Sequence, residues 1–239
     1  MMKSLNVPLL DFENQDLDTA LELGGARIDV NCVNWPGAFP YAPLCNARIA
    51  RTQDALVIDF RVSGLDLRAQ NLQDNGQQWE DSCVEIFIQD PETPDYYNFE
   101  INTLGKVLAA AGPDRSNRKV RPTEEMEQIL RFAQNDICHP ENDICLPEEE
   151  ICHSEEDICH PEEAEPTKDL EGLQSWRVGV IIPFELIGVD PENLPKTLRA
   201  NFYKCGDKTA HPHFLSWNPV ETPQPDFHRP EFFGELRLA

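Results

Sequence analysis

Two stretches of the chain place a flat aromatic ring beside polar side chains that a β-strand would hold in fixed positions. The first, residues 79–88, begins with Trp79 and contains Glu85, and the second, residues 201–207, is followed by Trp217. A sugar ring is apolar on its faces and hydroxylated round its edge, so an aromatic platform beside carboxylates and amides suits it. The sequence therefore predicts a carbohydrate-binding site.

The strands that would position these residues show as a period-two alternation of apolar and polar side chains. Residues 97–103 are the clearest case: Tyr97, Phe99 and Ile101 are predicted to face the core, and the residues between them form a polar row. Similar patterns occur at residues 55–62, 83–88, 176–182, 198–205 and 233–238. Residues 123–131 form the one convincing helix candidate. Many short strands and 20 prolines predict an all-β, jelly-roll-like antiparallel sandwich with one short helix.

The length and charge narrow the class of protein and of partner. The 239 residues fit a single domain, 1–239, and the net charge of -23 argues against nucleic acid and anionic membranes, which bind clustered Lys and Arg. No apolar run approaches the ~20 residues of a membrane span. The first residues lack the apolar core of a signal peptide, so we expect a cytoplasmic protein, or a periplasmic or extracellular one if the start is truncated.

An acidic repeat interrupts this domain at residues 132–166. Four units of seven residues fill residues 135–162, and residues 135–165 carry 12 acidic side chains with no Lys or Arg. The repeat holds four of the eight cysteines, one every seven residues: Cys138, Cys145, Cys152 and Cys159. Structural zinc sites use closer pairs such as C-x2-C, and proline in three of the four units prevents a continuous helix. We expect a solvated, disordered insert.

The cysteines outside the repeat are scattered without a motif. They are Cys32, Cys45, Cys83 and Cys205. Without an export signal we expect four reduced thiols, of which Cys83 packs within its strand. No constellation for nucleophilic catalysis is present in the sequence.

Seven segments together resemble the family 9 carbohydrate-binding modules, and more closely the small bacterial proteins described as family 9-like. The resemblance covers nearly the whole chain except the repeat. It rests on residues 34–43, 79–85, 96–102, 181–183, 199–206, 216–219 and 232–234. It implies a non-catalytic β-sandwich that binds a mono- or oligosaccharide, as a terminal sugar of a glycan in carbohydrate catabolism, with any glycoside hydrolase activity in a partner.

The resemblance also implies a set of site residues. In such modules two tryptophans sandwich a terminal sugar, and Trp79 and Trp217 match them. Glu85 matches a carboxylate that binds hydroxyl groups. The polar residues expected to line the floor or donate hydrogen bonds are Asn98, Glu100, Asn102, Asn201 and Lys204. Better-known modules carry an arginine about where Glu100 falls, so the hydroxyl pattern recognised here is expected to differ.

No cofactor is required by this interpretation, although family members can carry structural calcium. Asp90, Glu92 and Asp95 offer the hard oxygen ligands that calcium prefers. The sequence alone does not locate such a site.

Several alternatives remain open from the residues themselves. Glu85 and Glu100 could be the two carboxylates of a glycoside hydrolase, or the domain could be a degenerate interaction module. A tryptophan at a strand edge is often core, and we assign Trp35 and Trp176 to packing. A salt bridge to Arg61 or Lys204 would explain Glu85 without any ligand. The last histidines, His211, His213 and His228, could be ordinary surface residues.

Overall fold

The chain forms two β-sheets that pack face to face. The structure is a computed structural model, and it describes residues 2–10, 16–127, 129–136 and 170–238. Within these residues the strand pairs are antiparallel except for that of the first and last strands, which is parallel. The predicted antiparallel sandwich is confirmed.

The larger sheet has nine strands, and it carries most of the residues singled out in the sequence. Seven strands form a continuous path, a short eighth strand pairs with β12, and a ninth pairs with that short strand. In path order they are β1 (Ser4–Val7), β14 (Gly234–Leu238), β12 (Thr197–Cys205), β6 (Cys83–Gln89), β7 (Tyr96–Asn102), β8 (Val107–Gly112) and β9 (Lys119–Val120), with β13 (Phe214–Ser216) on β12 and β3 (Cys32–Val33) on β13.

The smaller sheet has five strands in a simple antiparallel order. Its strands, in spatial order, are β10 (Leu130–Asp136), β11 (Leu170–Pro183), β5 (Ala55–Leu67), β4 (Leu44–Arg51) and β2 (Ala26–Asp29). The longest pairing joins β5 and β11, and it extends both strands beyond the predicted residues 55–62 and 176–182.

The core lies between the sheets and is built by the predicted alternation. On β5, Ile58 and Phe60 point inward, and Phe60 packs on Phe202 of β12 with ring centroids 6.3 Å apart. On β7, Phe99 and Ile101 join the same core. Because side chains alternate along a strand, the residues between them must lie on the outer face of the nine-stranded sheet.

The helices differ from the prediction of a single helix at residues 123–131. The structure has α1 (Leu17–Gly24), which the sequence reading missed, and a short α2 (Thr123–Met126). Residues 130 and 131 belong instead to β10, because pairing with β11 prevails over their helix propensity. None of the helices in the described parts of the chain is long and apolar enough to cross a membrane.

The acidic repeat falls mostly outside the described residues. Its first part, residues 132–136, lies within β10, so the boundary predicted at residue 132 cuts a strand. The next described strand, β11, begins at Leu170. The expectation of a disordered insert, and the four cysteines of the repeat, lie in residues that the structure does not describe.

Candidate functional site

An open pocket lies on the outer face of the nine-stranded sheet. It encloses about 510 Å³, including the space at its mouth. Its aromatic lining comes from Trp79, Phe214 and Phe227, and its polar lining includes Glu85, Glu100, Arg118, Asp207 and His228.

Trp79 forms part of the wall because a short 3-10 turn, Gln78–Glu80, presents it just before β6. The turn is tied to the loop that follows β12: the backbone N–H of Asp207 donates to the carbonyl oxygen of Trp79 at 3.1 Å. The Trp79 side chain is half-buried, packed against an outer-face cluster that includes Cys83 and Tyr203. A half-exposed indole on a fixed turn is suited to stack on an apolar ring.

Two glutamates lie side by side on the pocket floor. Glu85 of β6 and Glu100 of β7 are cross-strand partners and are 4% and 2% exposed. Burial, and then the neighbouring Glu100, raise the pKa of Glu85 well above its usual range. Burial also raises the pKa of Glu100, although Arg118 opposes the shift. Two adjacent buried carboxylates do not both ionise easily, so the pair retains a proton to higher pH than exposed glutamates do.

The partners of these two glutamates differ. Arg118 Nη1 forms an ion pair with Glu100 Oε1 at 3.1 Å, and Asn98 Nδ2 donates to the same oxygen at 3.0 Å. The other Glu100 oxygen, Oε2, is buried and has no hydrogen-bond partner among the described residues. Glu85 Oε1 accepts a hydrogen bond from Cys205 Sγ at 3.0 Å. The floor therefore holds acceptor capacity that the fold itself does not use.

The loop that carries Arg118 approaches β8 closely. A Cβ atom at Gly112 would lie 2.5 Å from the Arg118 Cα, so only glycine fits at this point without a backbone shift. The turn is held by Asp114, whose Oδ1 accepts hydrogen bonds from the backbone N–H groups of Ser116 and Asn117 at 2.8 and 2.9 Å. These contacts fix the loop that places Arg118 beside Glu100 on the pocket floor, so this arginine does not belong to a strand.

A polar group of the far loop completes the lining. His228 Nδ1 lies 2.8 Å from the Tyr96 hydroxyl, and its ring packs on Phe87. Burial, and then Arg118, lower the pKa of His228 to about 3. Burial raises the pKa of Tyr96 to about 12. Near neutral pH the phenol is protonated and the imidazole is neutral, so one of them donates the hydrogen in this contact, and the imidazole tautomer decides which.

Asp207 stands at the exposed end of the pocket lining. Partial desolvation raises the pKa of its carboxyl group to about 6, and Arg115 acts in the opposite direction. Asp207 therefore changes charge between pH 5 and 7, unlike an ordinary aspartate.

Three of the eight predicted site residues line the pocket, and Asn98 contacts one of them. These three are Trp79, Glu85 and Glu100. Trp217 does not join them: it is 5% exposed, packs in the core, and its ring centroid is 5.7 Å from that of Phe202. The reason is strand parity, because Phe214 on β13 takes the pocket side and a residue three positions later faces the opposite way.

Lys204 is also on the core side of the sheet. It pairs with Val84 on β6, and its Nζ lies 2.7 Å from His213 Nε2 and donates to the Cys205 carbonyl oxygen at 2.6 Å. His213 is therefore buried with Lys204 and is not a surface residue. The predicted role of Lys204 as a hydroxyl donor does not fit this placement.

The two outer asparagines serve the backbone. Asn102 donates to the Asn71 carbonyl oxygen and to Asp81 Oδ2, and its own oxygen accepts two backbone hydrogen bonds of the β7–β8 turn. Asn201 donates to the Asn218 carbonyl oxygen, and its oxygen accepts from the backbone of Phe202 and Asn218. Both side chains are fully buried, so the structure brings neither to the pocket.

The alternative of a simple salt bridge for Glu85 is wrong for both suggested partners. Arg61 pairs with Glu22 and Asp59 on the five-stranded sheet, and Lys204 lies on the other side of its sheet. Within the described residues Glu85 forms no ion pair, and its close contact is the Cys205 thiol. Trp35 and Trp176 are buried, in agreement with the packing role assigned to them.

The carboxylates proposed for calcium do not converge within the part of the chain that the structure describes. Asp90 Oδ1 accepts a hydrogen bond from the backbone N–H of Glu92 and so caps its own turn. Among the described residues, metal-binding side-chain atoms come close together at another place, formed by Cys83, Glu85 and Cys205. Structural calcium stays a prediction.

Sequence reasoning missed Phe214, on the short strand β13, and the pocket residues that come from loops: Arg118, Phe227 and His228. The segment 214–217 carried a signal, since parity along a strand distinguishes Phe214 from Trp217. No local pattern distinguishes Arg118 or His228 from other loop residues, because only the tertiary fold brings them to the floor.

Comparison with known proteins agrees with this architecture. A protein from Bacteroides uniformis, described as a candidate carbohydrate-binding protein, superposes with a TM-score of 0.79 at 29% identity, covering 100% of both chains. A carbohydrate-binding module of family 9 from Caldicellulosiruptor kristjanssonii, solved with cellotriose, gives a TM-score of 0.55 at 11% identity over 99% of this chain and 93% of that one. The same module with glucose gives 0.56, also at 11% identity, over 99% and 96%. At such identity the module shows the fold alone.

A search of curated proteins found no significant match. The family model described as carbohydrate-binding family 9 matches residues 17–152 and 158–238, which is most of the chain. The chain belongs to carbohydrate-binding family 9.

Proposed function

We propose that the protein binds the terminal sugar of a saccharide in the outer-face pocket, without catalysing a reaction. The observation that carries this proposal is the combination of the half-exposed Trp79 with two buried glutamates whose hydrogen-bonding capacity the fold leaves partly unused. The neighbours solved with cellotriose and glucose share the fold and support the choice of ligand class.

The open mouth of the pocket supports recognition of a chain end. One sugar ring would lie against the floor, and the rest of a glycan would leave through the mouth. Trp79 would stack on one face of the ring. Phe214 and Phe227, rather than Trp217, are the other aromatic groups in reach.

The polar groups of the pocket would form hydrogen bonds with the hydroxyl groups at the edge of the sugar ring. Glu85 and Glu100 offer acceptors, Arg118 offers charged donors, and neutral His228 offers the ring nitrogen that Tyr96 does not contact. The arginine expected by the resemblance near Glu100 is absent from that strand, but Arg118 brings a guanidinium group to the Glu100 carboxylate from the next loop.

Isothermal titration calorimetry tests this proposal. Glucose and cellotriose are titrated first, and then their reduced alditols as controls for the reducing end. We expect 1:1 binding of at least one sugar, its loss in Trp79→Ala, and partial recovery in Trp79→Phe. Normal binding by Trp79→Ala, with both variants folded, would overturn the assignment of the pocket.

Glycoside hydrolysis is the second candidate, and one observation favours it. Glu85, with a strongly raised pKa, and Glu100, paired with Arg118, resemble an acid and an ionised partner. The geometry argues against hydrolysis, because both carboxylates belong to neighbouring strands and lie on the same side of the pocket. Hydrolases place their two carboxylates on either side of the scissile bond. Release of the aglycone from aryl glycosides, lost in Glu85→Gln, would replace the binding proposal with this one.

A further inference from the structure

Three side chains with metal-binding atoms converge beneath the pocket. Cys83 and Cys205 are direct cross-strand partners on β6 and β12, and Glu85 is two residues further along β6 on the same face. Both Sγ atoms and a Glu85 carboxylate oxygen lie within 4.8 Å of one another. All three side chains are buried, and both thiols are free.

This set has the chemistry of a zinc-type site. Thiolate and carboxylate groups bind Zn²⁺ at ~2.3 and ~2.1 Å, so tetrahedral ligands stand about 3.5 to 4 Å apart. The separations in the cluster are compatible with that geometry after small side-chain movements. Two sulfur ligands select thiophilic ions over calcium and magnesium, which prefer oxygen.

The cluster has both access to solvent and a candidate fourth ligand. Glu85 and Cys205 line the open pocket, so an ion has a path to them. Glu100, the cross-strand partner of Glu85, lines the same pocket, and its buried Oε2 has no hydrogen-bond partner in the described parts of the chain. This unpartnered acceptor is an observation independent of the thiols.

We propose that Cys83, Cys205 and Glu85 bind a thiophilic divalent cation of the zinc class at the pocket floor, with Glu100 or a water molecule as the fourth ligand. Binding replaces the two S–H bonds by metal–sulfur bonds, and the two protons pass to solvent. The Cys205 thiol then no longer donates to Glu85 Oε1, because the metal takes that place. The cation site shares Glu85 and Glu100 with the proposed sugar site, but cation binding can be tested without a sugar.

Cadmium titration followed by ultraviolet absorption tests the site, because a thiolate-to-cadmium charge-transfer band reports sulfur ligation directly. The repeat contributes four further thiols, so the titration uses the full chain with Cys138, Cys145, Cys152 and Cys159 changed to serine, in a phosphine reductant. We expect one saturable Cd²⁺ per chain. Zinc should compete for it.

Single substitutions locate the site. Cys83→Ala and Cys205→Ala should each abolish saturable binding, and Glu85→Gln should weaken it at least tenfold. Cys45→Ala is the matched control, because Cys45 is a buried thiol of the five-stranded sheet outside the cluster, and its titration should not change. A band that persists in Cys83→Ala and Cys205→Ala, or its absence from the parent chain, would overturn the proposal.

A second measurement avoids any dependence on the folding of the variants. The parent chain is treated with a thiol-alkylating reagent with and without Zn²⁺, and the modified cysteines are identified by mass spectrometry. Zinc should slow alkylation of Cys83 and Cys205 together and leave Cys45 unaffected. Equal rates with and without zinc at these two positions would contradict the site. Neither experiment includes a sugar, so its failure leaves the proposed function untouched.

Discussion

The outer faces of the two sheets bury carboxylates in contrasting ways. On the five-stranded sheet, Asp59 is fully buried but lies 2.6 Å from Arg177 Nε and 3.2 Å from Arg61 Nε. On the nine-stranded sheet, Glu85 contacts a thiol and stands beside a second glutamate. Asp59 is therefore paired with positively charged side chains of the protein, whereas Glu85 forms no ion pair among the described residues.

The surroundings of the two carboxylates explain the difference. Helix α1 lies over the five-stranded sheet, and its Asp18 and Glu22 extend the arginine network at the surface. Over Glu85 on the nine-stranded sheet, loops form an open pocket, and within the described residues no arginine forms an ion pair with this carboxylate. A buried charge without partners costs stability, so such a position is typical of a site where a ligand supplies the missing contacts.

The largest expected effect concerns two tryptophans that flank strands of the nine-stranded sheet, Trp217 on its core side and Trp79 at the pocket. Trp217→Ala empties part of the core and should lower the free energy of unfolding by about 3 to 5 kcal/mol. Trp79→Ala removes a half-exposed ring and should cost far less stability while abolishing sugar binding. Chemical denaturation measures the first effect and calorimetry the second. A stable Trp217→Ala that no longer binds sugar would restore Trp217 to the site.

The next largest effect is expected at Asp59, the buried carboxylate that is paired with arginines. Arg177→Ala removes the closer partner of buried Asp59 and should lower the free energy of unfolding by about 2 to 3 kcal/mol, since the remaining charge is only partly paired. Arg27→Ala is the control, because Arg27 pairs with Asp29 at an exposed position and should have no measurable effect. Equal stabilities in urea for the two variants would remove the distinction between the two faces.

The strands with a clear alternation of apolar and polar residues were predictable, because this pattern follows from burial of one face, whereas β4 (Leu44–Arg51) and β8 (Val107–Gly112) were not predicted. Residues 97–103 and 198–205 illustrate this: the observed strands differ by about one residue. Parity also predicts the outer-face position of Glu85 and Glu100. The same rule, applied to residues 214–217, would have put Trp217 in the core.

Other features could not be predicted locally. Helix α1 has only eight residues and buries only Ala20 and Leu21, so its periodic signal is weak. Residues 130–131 favour a helix by composition, but long-range pairing with β11 makes them a strand. The salt bridge of Arg118 with Glu100 joins residues 18 positions apart, through a turn that no sequence pattern ties to the floor.

A smaller effect is expected at Glu85, the buried carboxylate without an ion pair among the described residues. Glu85→Gln replaces a buried carboxyl group without an ion-pair partner by a neutral amide, and it should raise the free energy of unfolding at pH 7, because burial disfavours the ionised form. The same change should weaken sugar binding about tenfold. Glu92→Gln, at an exposed position, should alter neither. A less stable Glu85→Gln would indicate that the fold, not a ligand, uses this carboxylate.

The pH dependence of the free energy of unfolding should differ between the parent chain and Glu85→Gln. The folded-state pKa values of Glu85 and Glu100 lie above those of the unfolded chain, so the folded state binds more protons above pH 4.5. Their contribution to stability is therefore complete below the unfolded pKa and is lost as the pH rises through the folded values. The parent chain should lose more stability than Glu85→Gln between pH 5 and pH 8. Parallel curves in urea would contradict the raised pKa values.

The smallest effect is expected at the acidic repeat, which lies in the sequence between strands β10 and β11 of the five-stranded sheet. Strand β10 ends at Asp136 and β11 begins at Leu170, so a short Gly-Ser linker replacing residues 137–169 keeps both strands. Loop closure changes by only ~0.6 kcal/mol per doubling of length, so the free energy of unfolding should change by less than about 1 kcal/mol, with sugar affinity unaltered. A deletion that instead begins at residue 132 removes most of β10 and its pairing with β11, and should destabilise the sheet. If both deletions were equally harmful, the repeat would itself contribute to the fold, and its acidic residues would need a structural explanation.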